Sequence, residues 1–214
     1  MHAEGWNHYF DRLARLAATG GAGPDEWAQV PESLTPVTAA DAALAVLQPI
    51  LRNLTPEDRP KPTPCAKFSC HEVVGHLFGS LVQLGAMAGA QVQNPNEGSL
   101  ENRISVMAAQ AIDGWRSVDL DSMVSGPVGT EMPASAAASI LPVELVLHGW
   151  DLAQASGQQI HISDELVDYL RALAEMVVPP ARQSGAFADE VPSAADSSAI
   201  DRLAAFAGRR PLAA

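Results

Sequence analysis

The stretch "LPVELVLHGWDLAQASG", residues 141–157, constrains the fold most, because it is apolar on almost every side. A helix of this kind is stable only when other elements cover most of its surface. Its polar residues Glu144, His148 and Asp151 fall within an arc of roughly 60° on a helix, so they form one stripe. Burying such a stripe without partners is costly. The stretch therefore predicts a helix with either an exposed polar face or a paired polar site.

The rest of the chain is also predicted to be helical, because alanine and leucine dominate and strand-like alternation is scarce. The sequence predicts main helices over 39–54, 69–92, 100–118 and 137–156, with shorter ones over 6–17, 163–178 and 199–208. We expect Thr38 to cap the helix that starts at 39 and Pro49 to kink it or end it early. Residues 119–135 contain turn signals that favour a turn or short hairpin. The expected architecture is an all-α four-helix bundle with extra helices at both ends.

Composition excludes several classes of partner. Thirteen basic and 25 acidic side chains give a net charge of −12, which argues against nucleic acid and anionic membranes. No apolar run is long enough to span a bilayer, and the first residues lack the layout of a signal peptide. We therefore expect a cytoplasmic protein. The two cysteines, Cys65 and Cys70, are not spaced as a metal-binding or redox pair, so reduced thiols are expected.

A second stretch, "SCHEVVGHLFG", resembles the zinc-protease pattern H-E-x-x-H but carries one extra residue between its histidines. His71 and His76 therefore point roughly 140° apart on a helix and cannot grip one ion together. Ser69 and Glu72 fit a capping box, which accounts for Glu72 without a catalytic role. His71 then lies in an exposed first turn. His76 falls on or beside the apolar stripe, where it is a core histidine unless it finds a partner.

The polar stripe at Glu144 and His148 offers that partner. Together with His76 it supplies two imidazoles and one carboxylate, the ligand set of hydrolytic zinc sites that keep an open fourth position. Facing helices of a bundle commonly hold such sites. Spacing alone leaves the alternatives open, since the stripe is equally compatible with an exposed face that has only a structural role.

Three segments carry a resemblance to a known family. "KPTPCAKFSCHEVVGHLFG" resembles the entry to the metal-bearing helix of the mycothiol-dependent maleylpyruvate isomerase N-terminal family, within the DinB-like superfamily. "VELVLHGWDLAQASGQ" is similar to that family's E-x-x-x-H-G-W-D-x-A signature. "AIDRLAAFAGRRP" resembles the end of its uncharacterised actinobacterial branch. The resemblance spans residues 37–211, so we expect an N-terminal extension over 1–36 and a DinB-like metal-binding domain over 37–214.

The resemblance implies an up-down four-helix bundle that binds a divalent metal, usually zinc, through His76, Glu144 and His148. Nickel, iron and manganese accept the same donors. Asp151 matches the aspartate of H-G-W-D and is expected to orient a ligand or water. Trp150 is expected to pack between helices, and Cys65 to be a buried structural residue. A homodimer is possible for bundles of this type.

The resemblance also implies an activity. Its metal would remove the proton from a low-molecular-weight thiol, mycothiol in an actinobacterium, for transfer to or isomerisation of a small electrophile. Characterised isomerase-type members carry a second domain after the bundle, and this chain ends soon after the terminal helix, so maleylpyruvate itself is not the expected substrate. A metal-dependent hydrolase and a non-catalytic metal or small-ligand binding protein are the alternatives. Met107, Trp115 and Met123 are candidates for a pocket wall or for core packing.

Overall fold

The fold is described by a computed structural model that covers residues 10, 13–20, 33–126, 129–194 and 196–212. This part of the chain is mostly helical, which confirms the predicted all-α class. Contacts divide the chain into two compact units, Met1–Glu32 and Ser33–Ala214. In the first unit residues 13–19 are helical, and much of the helix predicted over 6–17 lies outside the described residues. No helix in the described ranges has the length and hydropathy needed to cross a bilayer.

The second unit contains all the named elements, and each of its six α-helices begins and ends within five residues of its predicted bounds. In chain order they are α1 (Pro36–Asn53), a 3-10 turn (Pro56–Asp58), α2 (Cys70–Met87), α3 (Leu100–Arg116), β1 (Met123–Ser125), β2 (Glu131–Pro133), α4 (Ala134–Ser156), α5 (Asp164–Gln183) and α6 (Ala199–Phe206). The two strands pair antiparallel with Val124 opposite Met132, which confirms the predicted hairpin.

Helix α4 is the central element of this unit, since most of its 23 residues are buried. Helices α1, α3, α2 and α4 pack in a ring in which each contacts the next, and α5 and α6 cover the remaining side of α4. The four helices of the ring share a core of fully buried aliphatic side chains, among them Leu47, Leu81, Ile104 and Leu145. Each such side chain contributes roughly 1.5–3 kcal/mol by burial. This core holds α2 and α4 side by side.

Several helix ends follow the signals that predicted them. The hydroxyl of Ser163 accepts a hydrogen bond from the backbone N–H of Leu166 at 3.3 Å, as an N-cap does. Gly157, just after α4, has a φ of 70°, a left-handed conformation that glycine adopts without steric cost. At the start of α2, Glu72 accepts hydrogen bonds from the backbone N–H and the hydroxyl of Ser69, at 2.8 and 2.7 Å. The cap role predicted for Glu72 is therefore confirmed.

The start of α1 differs from the prediction. Its N-cap is Thr35, whose hydroxyl accepts a hydrogen bond from the backbone N–H of Thr38 at 3.1 Å. The hydroxyl of Thr38 in turn accepts one from the backbone N–H of Thr35 at 2.8 Å. Pro36 suits the first helical position, because its φ is preset and its missing N–H is not needed there. Thr38 is thus the reciprocal member of the cap, and the helix begins three residues earlier than predicted.

Prolines end neither α1 nor α5, so the early end considered for α1 at Pro49 is wrong, and α5 continues five residues past its predicted end at 178. Helix α1 continues past Pro49 to its end at Asn53, and α5 runs through Pro179 and Pro180 to Gln183. A proline removes one intrahelical hydrogen bond and leaves the carbonyl four residues earlier without a partner. All three prolines lie on exposed sides of their helices, as does Ala45 four residues before the first of them. Water can therefore satisfy the released carbonyls while the buried side holds the helix in place.

Candidate metal centre

Three side chains from α2 and α4 converge at one point. His76 lies on α2, and Glu144 and His148 lie one turn apart on α4. The Oε2 atom of Glu144 lies 3.0 Å from Nε2 of His148 and 3.3 Å from Nε2 of His76. The potential ligand atoms of the three residues all lie within 4.8 Å of one another. The structure thus brings together the residues that the sequence and the resemblance single out.

The polar stripe of α4 is buried, so the alternative of an exposed face is wrong. The side chain of Asp151 is 0% exposed and that of His148 is 4% exposed, because neighbouring elements pack around this part of α4. Exposure rises to 18% for Glu144 and 36% for His76. The site therefore has a closed end at Asp151 and an end open to solvent at His76.

Asp151 holds His148 in one orientation. Nδ1 of His148 lies 3.0 Å from Oδ2 of Asp151. Because an ionised carboxylate only accepts, Nδ1 is the donor, and Nε2 is left to face Glu144. Nε of Arg209 donates to both oxygens of Asp151 at 3.1 Å, and Arg209 is itself buried. Asp151 therefore occupies the place of a residue that orients a metal-binding histidine through its second nitrogen.

Arg209 was not among the predicted site residues. It follows Gly208, which has a φ of 80° and would bring a Cβ within 2.7 Å of the carbonyl oxygen of Ala188. The backbone N–H of Arg209 donates to the carbonyl of Ala204 at 2.9 Å, which is the hydrogen bond of a Schellman motif. This turn brings the chain back towards Asp151 after α6. The available signal was a glycine directly after an apolar helix and before an arginine.

Two further neighbours of His76 were missed. The hydroxyl of Ser80 lies 3.2 Å from Nε2 of His76, and the ring of Phe68 stacks on the imidazole with centroids 5.2 Å apart. Ser80 is one helical turn after His76, so helical spacing alone could have indicated it. Phe68 belongs to the loop before α2, where no periodicity applies. Together these contacts restrict the positions that the more exposed imidazole can adopt.

The three donors fit a divalent metal of the zinc type. Ligand atoms at the usual 2.0–2.1 Å from zinc stand roughly 3.3 Å apart in a tetrahedral site. The separations of 3.0 and 3.3 Å from Glu144 to His148 and His76 agree with that spacing. The hydrogen bond from His148 to Asp151 supplies the outer partner that metal-binding histidines usually have. The group His76, Glu144 and His148 can therefore hold a metal ion.

Two proteins of Mycobacterium tuberculosis are similar to this chain. They are described as uncharacterized proteins, MT0763 and Rv0738, and each is 29% identical to this chain over 180 residues. The similarity covers 82% of this chain and 98% of each relative. No model of a known protein family matches, and no solved structure does. These similarities assign no chemistry to the site, and membership of the maleylpyruvate isomerase family stays a prediction.

The other residues that the sequence singled out lie outside the group of three donors. His71 is exposed, and its Nδ1 lies 3.4 Å from Nη2 of Arg59. Cys65 is half-buried, and burial raises the pKa of its thiol, which therefore stays protonated near neutral pH. Trp150 is buried and donates from Nε1 to Asp201 at 2.9 Å, so it packs between helices as expected.

The three residues considered for a pocket wall do not form one. Met107 and Trp115 are each about 1% exposed and belong to the core of α3. Met123 on β1 is 55% exposed. Core packing, the alternative that the sequence left open, accounts for the first two. The third faces solvent because it lies on a short hairpin.

Electrostatic attraction dominates the ionisation of the site. Burial by itself would raise the pKa of Glu144 and lower that of His148, because it penalises charge. The attraction between the neighbouring groups outweighs this effect. His148 and His76 hold the pKa of Glu144 well below its usual range. Glu144 and Asp151 raise the pKa of His148 to about 9. In the metal-free protein a proton on Nε2 of His148 therefore lies between that nitrogen and Glu144. A metal ion that binds here must displace this proton.

We expect the metal-free protein to lose stability between pH 6.5 and 9. A histidine whose pKa rises from 6.5 to about 9 on folding contributes stability that is fully present below pH 6.5 and is lost as pH rises through 9. The free energy of unfolding should fall by an amount on the order of 3 kcal/mol. Urea unfolding of chelator-treated protein at a series of pH values measures this fall in the free energy of unfolding. His148→Ala should show no such fall, and an equal fall in both proteins would contradict the assignment.

Proposed function

We propose that this protein is a divalent-metal-dependent enzyme that activates a low-molecular-weight thiol for transfer to, or isomerisation of, a small electrophilic substrate. The observation that carries the proposal is the convergence of His76, Glu144 and His148 in a site with one open end. A divalent metal bound there lowers the pKa of a coordinating thiol or water, so that a nucleophile is available near neutral pH. Zinc is the favoured ion, with nickel, iron and manganese as alternatives.

The side chains of this chain have separable tasks in that reaction. Asp151 and Arg209 keep His148 in one tautomer and orientation at the closed end. Glu144 lies between the two imidazoles and adds the negative charge that a divalent cation needs. Phe68 shields one face of His76, and the exposed remainder of that side chain marks the side from which substrate reaches the site.

We also propose that the fold is a DinB-like up-down four-helix bundle and that the chain belongs to the mycothiol-dependent maleylpyruvate isomerase N-terminal family. The ring of α1, α3, α2 and α4, with α5 and α6 as additional helices, supports a DinB-like up-down four-helix bundle. The family resemblance favours mycothiol as the thiol, and the similarity to two mycobacterial proteins agrees with an actinobacterial thiol. We further propose that the protein is cytoplasmic, that its partners are small molecules and that it can form a homodimer.

Turnover of a thiol with an electrophile tests the proposal. Zinc-loaded protein is incubated with mycothiol and the electrophile chlorodinitrobenzene, and the products are followed by absorbance and mass spectrometry. Turnover should require both zinc and thiol, and it should fall at least about 100-fold in Glu144→Gln, which keeps the size of the side chain but removes its charge. His161→Ala, which replaces an exposed histidine after α4, should keep the activity.

Other outcomes separate the alternatives. Hydrolysis of activated esters by the zinc-loaded protein without thiol would replace the thiol reaction by a metal-dependent hydrolase. Stoichiometric zinc without turnover of either kind would overturn the enzyme and leave a metal-binding protein. A thiol reaction that persists unchanged in Glu144→Gln and in chelated protein would place the chemistry outside this site.

A further inference from the structure

A cavity lies between the connection from α1 to α2, the first half of α2 and the start of α3. Its volume is about 380 Å³, within the range of about 300–1,000 Å³ that is usual for small-molecule pockets. Its apolar lining includes Leu54, Val74, Phe78 and Leu100. All four are only half-buried although they pack against the core. Part of their apolar surface is thus left uncovered around this cavity.

This cavity is separate from the candidate metal centre. The lining residues on α2 include Cys70, His71, Val74 and Phe78, which share one side of that helix. His76 projects from the helix roughly 180° away from the middle of that side. A ligand in the cavity therefore has α2 between itself and the three metal donors.

The cavity has an excess of positive charge in a chain of net charge −12. Arg59 and Arg103 line it, and neither forms an ion pair with a carboxylate in the described part of the chain. The described acceptors of Arg103 are neutral: Oδ1 of Asn94 at 3.0 Å and the carbonyl of Pro95 at 3.1 Å. The carboxylate of the lining, Asp58, is already bound by Lys61 at 2.7 Å. Arg59 is exposed and Arg103 half-buried, and because neither has an ion-pair partner among the described residues, both can bind an external anion beside the apolar wall.

The neighbours of these arginines add donors rather than negative charge. A guanidinium only donates, so at 3.4 Å from Nη2 of Arg59 the Nδ1 atom of His71 is the acceptor, and Nε2 of His71 carries a proton it can donate. The guanidinium of Arg103 lies 5.0 Å from the centroid of Phe78, which holds it against the apolar wall. Burial raises the pKa of Cys70, so its thiol contributes no charge.

We propose that this cavity binds an organic carboxylate with an apolar body, independently of the metal centre. The arginines bind the carboxylate, for which a planar guanidinium offers paired donors. The apolar wall binds the body of the ligand, so that neither a small inorganic anion nor a neutral apolar molecule satisfies both parts of the site.

Calorimetric titration with three acids, phenylbutyrate, octanoate and naphthoate, tests this proposal. Phenylbutanol, octanol and naphthalenemethanol are the neutral counterparts. At least one acid should bind at about one equivalent and at least about tenfold tighter than its alcohol, since a charged hydrogen bond is lost in the alcohol. Arg59→Gln and Arg103→Gln should each lower the affinity for the acid by a similar factor. Arg202→Gln, which removes an exposed arginine of α6 outside the lining, should not.

Binding of the acid without metal distinguishes this cavity from the metal centre of His76, Glu144 and His148, on which the proposed enzyme activity depends. Chelated protein and His148→Ala should bind the acid as tightly as zinc-loaded wild type, provided that circular dichroism shows each variant to be folded. Binding that disappears with the metal would assign the acid to the metal centre and overturn the proposal. So would equal affinity for acid and alcohol, no loss in either arginine variant, or no saturable binding of any of the three acids.

Discussion

His148→Ala is expected to abolish stoichiometric metal binding. The wild-type protein, purified without chelator or nickel affinity resin, should contain about one equivalent of divalent metal by inductively coupled plasma mass spectrometry. The variant should contain almost none. It loses one of three donors and also the link to Asp151, which then has no histidine to orient. Loss of the outer partner alone typically costs 10–100-fold in metal affinity, and loss of a donor costs more.

The matched control for this substitution is His161→Ala. His161 is exposed in the connection between α4 and α5 and belongs to no group of metal donors in the described residues. Its replacement should leave the metal content unchanged. Metal retained in His148→Ala would show that the ion is bound elsewhere. No metal in either wild type or variant, even after zinc is added, would mean that the three donors form only a hydrogen-bonded cluster.

Asp151→Ala is expected to destabilise the fold by about 3–5 kcal/mol, the usual cost of removing one partner from a buried ion pair. The pair with Arg209 is almost fully buried, with side-chain exposures of 0% and 7%. Without Asp151 the guanidinium keeps its charge in the interior, and among the described residues only the carbonyl of Ala207, at 3.2 Å, remains as its hydrogen-bond acceptor. Urea unfolding of chelator-treated protein measures the change in the free energy of unfolding.

A double-mutant cycle separates the pair from its surroundings. The double variant with Asp151→Ala and Arg209→Ala should be less destabilised than the sum of the single variants, because it leaves no unpaired charge. The exposed pair Arg171 and Glu175 on α5, 3.0 Å apart against 3.1 Å for the buried pair, should couple by less than about 1 kcal/mol. Equal coupling in the two pairs would contradict the burial of Asp151.

Metal binding and the stability of the fold both depend on the contacts that join Arg209, Asp151 and His148. From Arg209 through Asp151 to His148, each link limits the freedom of the next group. Removing Arg209 acts on metal binding only through Asp151, whereas removing His148 acts on it directly. The distances therefore predict a graded loss of metal affinity, largest for His148→Ala and smallest for Arg209→Ala.

The sequence by itself determined most of the local structure. Helix periodicity, the cap at Ser163 and the glycine after α4 depend on neighbours within one or two turns, and the structure agrees with all three. The spacing of Glu144 and His148 placed two donors on one side of a helix for the same reason, since residues four apart share a face. The prolines at 179 and 180 made the predicted end of α5 five residues too early, because both lie on an exposed side of the helix where water can reach the released carbonyls.

Only the tertiary structure decided which side of α4 is buried and what it meets. Glu144 and His76 are 68 positions apart, and Arg209 and Asp151 are 58 apart. Such contacts depend on how helices pack, and no local pattern specifies that packing. The resemblance implied that His76 joins the pair on α4, but the open end, the contribution of Arg209 and the cavity beside α2 follow from packing alone. The local sequence determines which donor residues share a face of each helix. Long-range packing brings the three donors together and leaves their site closed at one end and open at the other.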